Sequence, residues 1–305
     1  MATTSRTPPV IRPKTAPRST RRRNPYPLWF LAPAAVIYAA LFLVPTFASF
    51  YYSLTRWNLF DHQFIGLDNY LQFFQEPGLI GGLTNTLVYA VVTSGLKVVI
   101  GMALGVLLTS QIIGRGLLRS VVFFPVLVST IGVGLTSTVL MNPDTGLINK
   151  VLAVIGIQGP AWLTDPSLAL LSVALVDVWK GVGLATVIYI AGIVSIPPEY
   201  LEAAKVDGAG RMAVFRHIVL PLAKPATVTV VILSLIGGLR SFDLIWAMTH
   251  GGPGFTSDVI ASVIYKQYQA GFYGLSTAGN VILFLLVTAI IVPLSFLLNR
   301  NQVEH

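Results

Sequence analysis

The stretch Ser195-Ile196-Pro197-Pro198-Glu199-Tyr200-Leu201-Glu202-Ala203-Ala204-Lys205-Val206-Asp207-Gly208-Ala209-Gly210 continues as Arg211-Met212-Ala213-Val214-Phe215-Arg216-His217-Ile218-Val219-Leu220-Pro221. Pro197 and Pro198 suit the first turn of a helix, where the missing N–H groups would have no intrahelical acceptor. Gly208 and Gly210 can end that helix by adopting positive φ. A second short helix is expected from Arg211 to about Val219, stopping before Pro221. The result is two short helices on a glycine elbow, too short and too charged to cross a bilayer. Met212, Phe215 and Val219 fall at i, i+3 and i+7 and form one narrow apolar stripe. Such a stripe either seats in a groove of a partner protein or packs on the chain's own membrane domain.

The rest of the chain is far more apolar. Of 305 residues 54% are hydrophobic and 10% charged, and the mean hydropathy is +0.74. A soluble domain carries about a quarter charged residues, so most of this surface must face lipid. Six segments are long enough to cross a hydrocarbon core, which needs roughly 20 helical residues. They run from Leu28 to Tyr52, Leu83 to Thr109, Ser120 to Met141, Leu168 to Val194, Ala226 to Met248, and Ser276 to Leu298. The first is too long for the apolar part of a secretion signal and is expected to be an uncleaved anchor. The expected fold is an all-α integral membrane protein. Residues 1–27 form a basic tail, 28–298 the six-helix domain with its loop at 195–225, and 299–305 a short C-terminal tail.

Charge placement orients it. Seven of the 20 Lys and Arg residues lie in the first 23 positions, in a stretch too poor in aliphatic residues to fold. This tail reads as a cytoplasmic topology anchor able to touch anionic headgroups. No aromatic residues interleave its charges, which argues against nucleic acid. With the N-terminus inside, Arg115, Arg119, Lys205, Arg211, Arg216, Lys224 and Arg300 join the tail. That places fourteen basic residues inside against three outside, Arg56, Lys150 and Lys266. Both termini are therefore expected in the cytoplasm.

Three basic residues, Lys97, Lys180 and Arg240, fall inside expected spans. Asp177 with Lys180, and Arg240 with Asp243, are spaced i,i+3 and share a helix face. A charge at mid-membrane is expensive, so these faces should point into the bundle or a wet cavity. They read either as ion pairs holding helices together or as the lining of a solute path. Cysteine is absent, and the four histidines have no H-x-x-x-H spacing. Thiolate chemistry is thereby excluded, and no metal site is expected.

Glu202-Ala203-Ala204, three residues, Gly208, nine residues, then Ile218-x-Leu220-Pro221 resembles the EAA loop of binding-protein-dependent ABC importer permeases. Four further stretches resemble the carbohydrate-uptake, maltose-type branch. They are Phe64-Ile65-Gly66-Leu67-Asp68-Asn69-Tyr70, Gly146-Leu147-Ile148-Asn149, Trp162-Leu163-x-Asp165-Pro166, and Trp246-x-Met248-Thr249-x-Gly251-Gly252-Pro253. The resemblance implies a bacterial inner-membrane subunit that rocks between inward-open and outward-open states. Its implied partners are a second homologous permease, two ATPase subunits and an extracytoplasmic sugar-binding protein.

On this resemblance the loop is a coupling helix. Glu202, Ala203, Ala204, Asp207, Gly208, Met212, Phe215, Ile218, Leu220 and Pro221 would meet the ATPase. The resemblance also places sugar-facing positions at Val126, Thr130, Lys180, Gly181, Ser234, Gly238 and Ser241. Small and serine residues in spans equally serve helix packing. Gly251, Gly252 and Pro253 would touch the binding protein. No large external insertion and no extra N-terminal spans are expected. The chain contains no G-x-x-x-x-G-K-[ST], so ATP and Mg are expected on the partner ATPase and no cofactor on this chain.

Lys180 with Arg240 allows an alternative solute, an anion such as a glycerol phosphate. A secondary transporter would need inverted repeats, and none is visible. A membrane-embedded enzyme would need a clustered acid, base or metal set, whereas the acidic residues and histidines here are scattered.

Overall fold

A computed structural model describes residues 28–299, apart from Leu59. The expected basic tail, and the C-terminal tail beyond Asn299 with Arg300, lie outside the described residues. The chain falls into two compact units that divide between Thr46 and Phe47. Helix α1, Trp29–Tyr52, carries that boundary. Within it a single π turn, Ala39–Leu43, is closed by the Val44 N–H on the Ala39 carbonyl. Pro45 follows at once. With no N–H of its own, it cannot make the next i→i−4 bond, and the ladder widens just before it.

A two-stranded antiparallel hairpin comes next, β1 (Thr55–Trp57) and β2 (His62–Phe64), with Arg56 opposite Gln63. The all-α expectation missed it. Asn69 pins the hairpin by donating to the carbonyls of Ser53 and Thr55, at 2.8 and 2.9 Å. Asn69 lies on α2, Asp68–Gln75, which leads into α3, Pro77–Thr109. The long helix begins six residues before the expected span because Pro77 suits a first helical position.

Then follow α4 (Arg115–Leu127), α5 (Thr130–Leu140), α6 (Leu147–Val154) and α7 (Ala169–Val194). The loop helices are α8 (Pro198–Val206) and α9 (Arg211–Leu222). The chain closes with α10 (Lys224–Leu239), α11 (Asp243–Thr249), α12 (Ile260–Gln269) and α13 (Tyr273–Asn299).

Four helices, α1, α3, α7 and α13, are long and apolar enough to cross a membrane unbroken. Two more segments qualify only as bent pairs, α4 with α5 at 98° and α9 with α10 at 67°. The expected span Ser120 to Met141 is thus broken at Val128 and Ser129, whose ψ values of 143° and 132° are extended. Serine is disfavoured inside helices and favoured at their N-termini, the place Ser129 takes. The expected span Ala226 to Met248 is broken at Arg240–Phe242. Gly237 and Gly238 weaken the helix before the break, and Asp243 suits the positive N-terminus of the helix after it.

The centre of the second unit is the α3–α7 pair. A Cβ on Gly101 would lie 2.8 Å from the Cβ of Ala185, and one on Gly105 would lie 2.7 Å from that of Tyr189. Gly101-Met102-Ala103-Leu104-Gly105 is therefore a small-xxx-small face that lets two backbones approach closely. In a membrane, van der Waals contact of this kind holds helices together. Met102, Ala185, Tyr189, Ala223, Ala226 and Val230 extend the contact into one buried cluster. The helices after the two breaks also pack on each other, since a Cβ on Gly134 of α5 would lie 2.7 Å from Ala247 of α11.

Candidate functional site

Local chemistry shapes the loop after α7. Pro198 opens α8 with Pro197 at the capping position. Gly208, at φ +72°, ends it in a Schellman motif, with the Gly208 and Ala209 N–H groups on the carbonyls of Lys205 (3.1 Å) and Ala204 (2.9 Å). Gly210 does not adopt positive φ as expected. It is extended (φ −69°, ψ 162°) and starts α9. Nor does α9 stop before Pro221. It passes through a π turn, Phe215–Val219, closed by the Leu220 N–H on the Phe215 carbonyl, and ends at Leu222. Pro221 cannot bond the His217 carbonyl, and the π register again absorbs the defect.

The expected apolar stripe splits. Met212 is 74% exposed, whereas Val219 is buried and Phe215 packs against the Met102–Tyr189–Val230 cluster. The two readings of the stripe therefore apply to different residues of it. Glu202, Ala203, Asp207 and Gly208 are exposed, Ala204 is buried, Ile218 is half-buried, and Leu220 and Pro221 are exposed. Tyr200 and Val206, which no motif singled out, add large apolar surface, Val206 at 87% exposure. Glu202 and Val206, four residues apart on one side of α8, and Met212 on α9 are thus exposed together with Tyr200.

Inside the bundle, Asp177 does not pair with Lys180. The Lys97 ammonium donates to Asp177 Oδ2 at 2.8 Å, joining α3 to α7. Arg240 and Asp243 are exposed and form no ion pair, and Lys180 is half-buried with no carboxylate within reach among the described residues. Gly181 makes room for Lys97, because a Cβ there would lie 2.7 Å from Lys97 Cε.

The other sugar-path candidates are dispersed. Gly238 is buried on α3, where a Cβ would lie 2.7 Å from Ala90 Cα. Val126 is half-buried and its Cγ2 lies 3.1 Å from a Cβ built on Gly183. Thr130 opens α5, and Ser234 is half-buried on α10. Ser241 sits in the α10–α11 break beside Tyr89.

At the opposite end, Gly251 and Gly254 have φ of +84° and +55°, and Gly251 packs directly on Asp258. Asp258, 1% exposed, accepts from Lys266 at 2.6 Å and from Ser262 at 2.7 Å. Asn85 donates to the carbonyls of Thr256 and Asp258, and Lys266 lies 4.9 Å above the Phe255 ring. Neither Asn85 nor Asp258 was singled out in the sequence, since nothing local links either to the glycines. A groove of about 360 Å³ runs beside this loop, lined among others by Thr138, Asn142, Leu163, Thr249, Gly252 and Pro253.

Two of the motif stretches prove to be bonded to each other. Trp162 Nε1–H donates to Asn149 Oδ1 at 2.7 Å, and Asn149 donates to the Pro143 and Pro160 carbonyls. Next to them, the hydroxyl and N–H of Ser167 hold the half-buried Asp165 carboxyl below the usual carboxylate range.

Long apolar helices around a buried ion pair, two bent helix pairs and an exposed two-helix projection are the features of an integral membrane protein, and the comparison with known families makes it a transport subunit. The chain belongs to the family of binding-protein-dependent transport system inner membrane components, which it matches over residues 97–302. The probable ABC transporter permease protein YurN of Bacillus subtilis (strain 168) is 36% identical over 247 residues, 79% of this chain and 84% of that one. The trehalose/maltose transport system permease protein MalF of Thermococcus litoralis is 32% identical over 259 residues, 84% of this chain and 88% of that one. The fold is shared with a chain of a bacterial ABC transporter involved in the import of the acidic polysaccharide alginate. The TM-score is 0.78 at 23% identity, covering 90% of this chain and 97% of that one.

Proposed function

We propose that this permease carries a sugar across a bacterial inner membrane as one of two homologous permease subunits, driven by two separate ATPase subunits. It spans the membrane six times with both termini in the cytoplasm, which the positive-inside bias of its loops supports. The observation that carries the coupling half of this reading is the α8–elbow–α9 projection. It leaves Glu202, Val206 and Met212 exposed while Phe215 and Val219 anchor the loop to the bundle. A rigid lever of this kind, fixed at one face and free at the other, suits docking in an ATPase cleft. ATP and Mg belong on that partner, and the pinned loop at Gly251, Gly252 and Pro253 faces the sugar-binding protein.

Sugar is favoured because relatives at 32% and 30% identity are named for trehalose/maltose and arabinooligosaccharides. A second reading, an acidic saccharide or another anion, draws on Lys180 and Arg240, neither of which has an ion-pair partner among the described residues. Uptake in proteoliposomes with and without the ATPase subunits tests the proposal. Transport by this chain alone would exclude it. Competition between neutral and acidic saccharides separates the two solutes.

A further inference from the structure

Two short helices outside the spans, α2 and α6, leave an apolar row uncovered. On α2, Leu71 and Phe74, with Leu67 just before the helix, recur at i, i+4 and i+7, and each is more than half exposed. Asp68, Gln72 and Gln75 repeat that spacing one residue further on, and all three are exposed. Asn69 and Phe73 take the remaining side and are buried. At about 100° per residue these rows give the helix an apolar, a polar and a protein-facing side. On α6, Leu147, Val151 and Val154 recur at the same i, i+4, i+7 spacing and are exposed, Val154 at 87%. Lys150 and Ala153 are exposed on the next side, while Asn149 is buried and Ile148 packs on the cluster of Val133 and Val173.

Both helices are held at the ends of spans. Glu76, extended at ψ 119°, is the single residue between α2 and Pro77, where α3 begins. Phe73 packs with Leu79 and Ile260, and the Tyr70 and Ser53 hydroxyls share a hydrogen bond at 2.7 Å. Helix α6 stands between the end of α5 at Leu140 and the start of α7 at Ala169, tied by Asn149 to Pro143, Pro160 and Trp162. Helices fixed there, of eight residues each, lie where hydrocarbon gives way to headgroups and are too short to cross. An uncovered apolar row marks either a protein or a membrane contact. Protein contacts are anchored by Trp, Tyr or Arg with hydrogen bonds around them. The row on α6 is aliphatic throughout and offers neither donor nor acceptor. Asp68, Gln72 and Gln75 on α2, and Lys150 on α6, lie beside the apolar row rather than opposite it. That is the arrangement a helix needs when protein, lipid and water each take one side.

We propose that α2 and α6 are interfacial helices lying along the outer surface of the bilayer. Leu67, Leu71 and Phe74, and Leu147, Val151 and Val154, sit among the acyl chains. The choice of the outer leaflet rests on the six-span topology proposed above, whereas the seat in lipid does not. Asp68, Gln72 and Gln75 meet headgroups and water, and Lys150 reaches the phosphates from the flank of its helix. So seated, the two helices peg the neighbouring ends of α3, α5 and α7 at a fixed depth.

The chain contains no cysteine, so one introduced thiol labels one place on it. The importer, purified with its native partners, is labelled with bimane at Leu71→Cys or Val154→Cys and placed in phosphatidylcholine proteoliposomes. Gln72→Cys and Asp144→Cys, both at exposed polar positions, are the water-side controls, and the wild-type complex taken through the same labelling is the blank. Brominated acyl chains should quench the labels at 71 and 154, and aqueous iodide should quench those at 72 and 144. Iodide that reaches 71 and 154 as readily as the controls overturns the proposal, because the apolar rows then lie in water. Labels at 71 and 154 that neither quencher reaches overturn it as well, because a protein then covers them. A membrane-impermeant maleimide applied to spheroplasts reads the leaflet separately. Reaction at 72 and 144 before lysis supports the outer surface. Reaction only after lysis overturns that placement and the proposed topology together, and lipid quenching would then seat both helices in the opposite leaflet.

Discussion

Lys97 and Asp177 stand 80 positions apart in the chain and 2.8 Å apart in space, joining the two most closely packed helices of the bundle. Each has its acid or base partner on another helix, and the lysine stem runs over Gly181. Removing one partner leaves the other charge buried and unpaired. Asp177→Ala should therefore destabilise the protein by about 3–5 kcal/mol. Lys97→Met combined with Asp177→Leu should recover most of that loss. Thermal unfolding in detergent compares the two, and equal losses would show that the pair is not the cause.

Gly105 and Gly95 lie on the same helix with opposite surroundings. A side chain at Gly105 collides with Tyr189, whereas one at Gly95 meets open space. Gly105→Val should cost about 1–3 kcal/mol through overpacking. Gly95→Ala should be neutral or stabilise by up to about 1 kcal/mol through helix propensity. A melting series on the two variants checks the contrast.

The split stripe separates docking from folding. Met212→Asp and Glu202→Ala should abolish co-purification with the ATPase while the melting temperature holds. Phe215→Asp should instead lower the melting temperature, because it places a charge in the cluster with Met102 and Tyr189. If Met212→Asp leaves ATPase recovery unchanged, the exposed face of the loop is not the docking face.

Lys266 neutralises a nearly inaccessible carboxylate and roofs Phe255. Lys266→Met should loosen residues 250–258, by about 3–5 kcal/mol of local stability. Faster amide exchange confined to that loop is the expected signature, and uniform protection would contradict it. A binding-protein contact there should weaken in step.

Much of the loop at 195–225 was legible because its determinants are local. Proline at a first turn and Gly208 at a helix end act within a few residues, and both behave as their chemistry requires. Gly210 and Pro221 show the limit. Glycine permits positive φ without demanding it, and a proline late in a helix can be absorbed by a π turn. The break at Val128–Ser129 was hidden because hydropathy runs almost unchanged through it, whereas the break at Arg240–Phe242 is marked by Arg240 and Asp243, which the sequence had shown as charges within one span. The face Gly101-x-x-x-Gly105 was visible as a pattern inside an apolar helix and went unused. It is the one overlooked signal that predicts where α3 meets α7.

The sequence by itself determined that this is a helical membrane protein with an EAA-type loop, because burial of apolar surface and local turn chemistry depend on composition and near neighbours. Only the tertiary structure decided which charges pair. Asp177 is three residues from Lys180, but close glycine packing of α3 on α7 brings Lys97 nearer to it. Contact across helices, not spacing along one, chooses a partner for a buried charge.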